Sequence, residues 1–218
     1  MSSLRILSGI LILAISVSLC APFARPQKVI DRIVAKVEDD IILWSDIQEL
    51  ADYQKLIEGK AESDQELLER LIDQWIVRKE AETARFPQPS EADINRSLQR
   101  LKKSFATEED YEERRNQAGL TEAEVRHFVT LQLYLSNYLD SRFRPLIHVD
   151  QKAIEKFYED RVVPRAKARG QAPPTIESAS DYIQEALVQQ GINEQSDRWL
   201  KESRDRLNVE EFLNEGQK

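Results

Sequence analysis

The segment "SDQELLERLIDQWIVRKEAETAR" constrains the fold most tightly. Ser63 stands three residues before Glu66, the spacing at which each side chain reaches the other's backbone N–H across a helix N-terminus. Leu67, Leu68, Leu71, Ile72, Trp75 and Ile76 follow at intervals of three and four, which lays one broad apolar face along a helix. Such a face must be buried on other elements. The same grammar recurs down the chain. Ser90 heads "EADINRSLQRLKKSF", and Thr107 with Asp110 opens a short helix that Gly119 can close. Thr121 with Glu124 opens a long one, striped by Val125, Phe128, Leu131, Leu135, Tyr138 and Leu139. Asp150 heads "QKAIEKFYEDRV". Residues 180–207 read as a closing helix, with Tyr182, Ile183, Trp199 and Leu200 on its apolar side and Gly191 as a place to bend. The expected fold class is mainly α.

Three segments break this pattern. In "IVAKVEDDIILWSDI" two short apolar runs flank an acidic turn, the signature of a small hairpin. Ser45 is placed to cap the helix after it, with Asp46 and Glu49 in the first turn. Near the other end, "NVEEFL" alternates loosely and reads as a last strand. A two-stranded hairpin is too small to stand alone. Finally, "VPRAKARGQAPPTIE" carries Pro164, Gly170, Pro173 and Pro174 and reads as a linker over 164–177.

The first two dozen residues differ in kind. Arg5 precedes an apolar run, "ILSGILILAISVSL", too short for a membrane span and followed by small residues. Residues 1–24 thus read as a signal peptide, so the mature protein is expected to work outside the cytoplasm, with no stable membrane span. Lipidation at Cys20 is the lesser alternative. Cleavage after Ala24 removes only Arg5 among charged residues, so 30 basic residues then face 39 acidic ones and net charge moves from -8 to -9. An acidic chain without a basic stripe is a poor nucleic-acid binder. The single cysteine lies in the leader, so no disulfide is expected in the mature part.

Residues able to do chemistry are sparse. His127 and His148 have no companions at metal-ligand spacing and read as structural. No nucleophile elbow or phosphate-cradling glycine loop occurs. The many carboxylates lie beside Lys and Arg on helix faces, as solvated ion pairs do. No catalytic residue, metal or cofactor is therefore expected. The aromatic residues allow two readings: core, or the lining of an apolar groove for peptides. Trp44, Tyr134, Tyr138 and Tyr158 are the candidate client contacts, and Tyr134 and Tyr158, off the main stripes, are the expected exposed members.

The order of these motifs resembles the SurA-type periplasmic chaperones. "VIDRIVAKVEDDIILWSDIQEL" looks like their opening hairpin and first helix, and "LLERLIDQWIVRKEA" like their second helix. "LTEAEVRHFVTLQLYLSNYL", "VDQKAIEKFYED" and "DRWLKESRDRLNVE" are similar to later segments in the same order. The resemblance runs over residues 29–163 and 174–213. It implies a helical chaperone domain over 25–163, a linker over 164–177, and a closing helix and strand over 178–218 that pack back on the first segment. Many members insert a parvulin-type prolyl isomerase domain where this chain has only the linker, and no "GGDLG"-like run occurs. The resemblance thus implies binding without isomerase activity, an architecture shared with the peptide-binding module of trigger factor. It implies ATP-independent binding of unfolded envelope proteins, outer-membrane proteins foremost. An adaptor for one folded partner, or a degenerate prolyl isomerase, are the alternatives.

Overall fold

A computed structural model describes residues 31–213. The signal peptide expected over 1–24 and the Cys20 alternative lie outside them. The elements run β1 (Ile33–Val37), β2 (Asp40–Leu43), α1 (Trp44–Glu58), α2 (Asp64–Thr83), α3 (Glu91–Lys103), α4 (Glu108–Gln117), α5 (Glu122–Phe143), α6 (Gln151–Phe157), α7 (Val163–Ala168), α8 (Ile176–Arg204) and β3 (Val209–Glu211). The fold is mainly helical with a small antiparallel sheet, as the sequence predicts.

Most helices begin where the caps place them. Ser63 and Glu66 form a reciprocal box, the Ser63 N–H donating to Glu66 Oε2 at 2.9 Å. Thr121 and Glu124 do the same for α5, at 2.7 Å. Ser90, Thr107 and Asp150 each accept the N–H three residues on. These bonds satisfy amides that a helix leaves without internal partners.

Helix α1 departs from the expected start. Its cap is Leu43, not Ser45. The Leu43 N–H donates to Asp46 Oδ2 at 2.8 Å, and the Ser45 N–H reaches Asp31 Oδ1 at 3.3 Å. Carboxylates from both sides thus serve the first turn. The Ser45 side chain and backbone are also the main reason the Asp31 carboxyl is held below its ordinary range.

The sheet has the order β2-β1-β3. A two-residue turn at Glu38 and Asp39 joins the hairpin, with Glu38 at φ 53°. β3 pairs antiparallel with β1, matching Val37 with Val209 and Ala35 with Glu211, so "NVEEFL" does supply the third strand. Glu38 reinforces this junction. Its N–H donates to the Asn208 carbonyl at 2.9 Å, and its Oε1 accepts the Asn208 N–H at 2.9 Å. The Phe212 N–H bonds the Val34 carbonyl at the other end. One core cluster lies beneath: Val34, Val37, Leu67, Leu68, Ile72 and Leu213 are buried together, with Trp44 and Trp199 packed at its margin.

Helix α5 packs against α2, α3 and α8, so it buries a wider arc than one stripe. Helix α8 is one continuous element through Gly191 and begins at Ile176, with Thr175 as its cap. Gly191 does not interrupt it. A Cβ there would stand 2.9 Å from the Ile147 side chain, so glycine makes room for Ile147, shortly after the end of α5. The span read as a linker is helical in its first part. Helix α6 continues through a π-helical turn, Tyr158–Val162, into α7, which contains Pro164. Proline lacks an N–H and crowds the preceding helical turn. The wider π-turn accommodates it: the Val163 N–H reaches back five residues to the Tyr158 carbonyl. Among the described residues no helix is long and apolar enough to cross a membrane.

Candidate functional site

A cleft of about 420 Å³ opens between the hairpin, α1, α2 and α5. Its apolar lining comes from Ile41 and Ile42 of β2, Leu71 and Trp75 of α2, and Phe128 and Leu131 of α5. Asp40, Ile41 and Ile42 all line it although successive strand residues face opposite sides, so β2 meets the cleft along its edge. β2 is an outer strand of the sheet. In a hairpin closed by two residues, the flanking pair Val37–Asp40 holds the hydrogen bonds, and the next pair, Lys36–Ile41, does not. The backbone N–H and carbonyl of Ile41 therefore point away from β1. The β1–β3 bonds obey the same alternation, with Val34 and Glu38 bonded toward β3. Ile41 also leaves 52% of its surface exposed. A backbone donor and acceptor turned away from β1, with no partner among the described residues, thus stand beside an exposed aliphatic side chain.

The cleft wall is held in place. Asp40 Oδ2 accepts the Trp75 indole N–H and the Lys79 ammonium, both at 2.8 Å. These bonds, Lys79's first, hold the Asp40 carboxyl below its ordinary range. Phe128 stacks on Tyr53 with centroids 4.5 Å apart. Tyr53 in turn donates to Gln132 Oε1, and burial pushes its hydroxyl up to about 12. The rim carries both signs, with Arg78 and Lys79 on α2 and Asp46 and Glu49 on α1. Partial burial, with the charge of Asp46, pushes the Glu49 carboxyl up. The site combines an apolar floor, a strand edge and a mixed rim. It can bind an extended chain by backbone pairing and side-chain burial.

The four aromatic residues expected to contact clients do not come together. Trp44 is half-buried over the sheet core, with the Arg32 guanidinium 4.8 Å from its ring centre. Tyr134 is 4% exposed and Tyr138 5%, both packed with Val77 and Ala81 against Phe86. The expectation that Tyr134 is exposed is therefore corrected: it faces α2 on a helix covered from several sides. Tyr158 is half-buried, and its hydroxyl donates to the Pro174 carbonyl at 2.7 Å. Tyr182, placed on an apolar face by spacing, is 64% exposed. His127 and His148 are exposed, so neither fills a core position. His127 stands at the cleft rim, edge-on to Phe128 at 6.0 Å.

Sequence reasoning missed Ile41 and Phe128 as site residues. A signal existed for Ile41. "IIL" places three apolar residues in succession on a strand whose two faces alternate, so one of them must point away from the core. Among the described residues, no group of three His, Cys, Asp or Glu side chains is placed to hold a metal ion. No protein-family model matches this chain, and no curated protein matches it.

Proposed function

We propose that this protein is an ATP-independent chaperone that holds unfolded envelope polypeptides, above all outer-membrane β-barrel precursors, outside the cytoplasm. The observation that carries the reading is the edge of β2 opening on the apolar cleft beside Ile41 and Trp75. An extended client segment pairs with the Ile41 N–H and carbonyl, and alternate side chains enter toward Leu71, Trp75 and Phe128. Barrel precursors suit such a site because their strands alternate apolar and polar residues. Binding is weak, because the client loses chain entropy on ordering. Weak binding makes release spontaneous, and no catalytic step is assigned. The acidic surface, at net charge -8, disfavours self-association.

The test is suppression of aggregation of an unfolded barrel precursor, measured by light scattering. Ile41→Pro removes the outward N–H and spares the hairpin's own bonds. Ile41→Lys keeps the N–H and removes the aliphatic contact. The reading expects near-stoichiometric suppression by wild type and its loss in both variants, with circular dichroism unchanged. Equal suppression by wild type and both variants contradicts it. Activity towards only one folded partner would identify an adaptor instead.

A further inference from the structure

A second groove, of about 390 Å³, lies between the α6–α7 helix and the start of α8. Phe157 and Val162 line it half-buried, and Pro174 and Tyr182 line it exposed. Arg161, Arg165 and Arg169 line it at successive intervals of four residues. All three are exposed, and among the described residues none makes an ion pair. Among the described residues no carboxylate lines the groove, although Glu159, Asp160, Glu177 and Asp181 lie on the same elements. This stands out in a chain with 39 acidic residues against 31 basic. The β2 cleft, by contrast, carries both signs on its rim. The π-turn at Tyr158–Val162 resets the helical register immediately before Arg165, and such turns recur at functional sites.

We infer that this groove is a docking site for an acidic polypeptide segment that carries an apolar or aromatic side chain. The charge identifies the partner: three guanidinia that make no ion pair among the described residues favour carboxylates, which a guanidinium binds through two parallel bonds. The shape separates a peptide from a membrane. A lipid surface is met by apolar side chains that protrude beside the cations. Here Phe157 and Val162 are half-buried in a concavity, and Tyr182 is the large apolar side chain that protrudes. An apolar side chain of the partner fills that concavity, and its acidic neighbours reach the arginines. The site is separate from the β2 cleft and does not depend on the chaperone reading.

The test is fluorescence anisotropy with a labelled synthetic peptide of Asp and Glu carrying two Phe residues. A second peptide has Ala in place of Phe, and vesicles containing phosphatidylglycerol form a third arm. The Phe peptide should bind more tightly than the Ala peptide, and its binding should weaken with added salt. Arg165→Gln should weaken it about tenfold, and Arg161→Gln with Arg165→Gln further. Tyr182→Ser should weaken the Phe peptide while leaving the Ala peptide unchanged. All these positions are exposed, so the variants should keep the wild-type circular dichroism spectrum. Equal binding of the two peptides, or binding indifferent to the arginine substitutions, overturns the inference. So does binding to the vesicles without binding to the Phe peptide.

Discussion

The sheet end of the molecule and the α6–α7 arm are stabilised in opposite ways. The sheet end joins distant parts of the chain. β3 pairs with β1, Arg204 reaches Asp73 at 2.7 Å, and Leu213 is buried with Val34 and Leu67. The arm is largely local. Its cluster has Ile154, Ala179 and Ile183 as its buried members, with half-buried residues such as Phe157 and Leu187 around them. A region closed by long-range contacts opens only when much of the fold is lost, whereas a small satellite cluster can open alone. The difference places the β2 cleft on the stiffer region and the arginine groove on the softer one.

The most severe way to break this contrast is to remove the strand that joins the two ends. Deleting residues 208–213 takes away the β3 pairing and the buried Leu213. Its expected cost is about 3–5 kcal/mol, read as a lower midpoint in urea unfolding. An unchanged midpoint would mean that β3 is not a fastening. On the other side, Ile183→Ala empties a fully buried position in the arm and should cost about 2–4 kcal/mol there. Amide exchange should speed up across 151–168 and stay slow in β1. A uniform acceleration would show that the arm and the sheet open as one unit.

A smaller effect is expected where the end of α5 meets α8. Arg144 bonds both Asp140 and Glu185, and the Glu185 carboxyl is held down to about 2 against an ordinary 4.5. A carboxyl lowered by folding stabilises above its unfolded value and loses that contribution as pH falls through its folded value. Stability should thus decline between pH 4.5 and about 2, in part through this pair. Arg144→Met should make that decline shallower. The change is small because both side chains are exposed. Smallest of all, Ile41→Pro should leave stability within about 0.5 kcal/mol of wild type, since the N–H it removes makes no bond to β1.

Where the chemistry is local, the fold is legible in the sequence. A Ser or Thr three residues before a Glu reports a helix start through bonds that need no other element, and the boxes at Ser63 and Thr121 fall as expected. The closing strand was legible as a loosely alternating segment, and its return to the hairpin only as what the resemblance implies. The errors lie where another element intervenes. Asp31, from before the sheet, serves the α1 start, so Ser45 misled as a cap. Pro164 reads as a helix breaker until the π-turn is seen to absorb it. Tyr134 lies off the apolar stripe, but α5 is covered by several helices, so its buried arc is wider than the stripe. The cleft was the least legible feature, because it joins β2, α1, α2 and α5 over almost a hundred positions.

The central claim is that clients bind along the β2 edge. A photo-activatable crosslinker at position 41 measures this most directly, with the same group at exposed Leu146, outside both grooves, as reference. Each variant is mixed with an unfolded outer-membrane barrel precursor, irradiated, and mapped by mass spectrometry. The account predicts strong adducts from position 41, joined to apolar client segments, and only background from position 146. Equal yields from the two positions, or none from position 41 while the protein still suppresses aggregation, would contradict it.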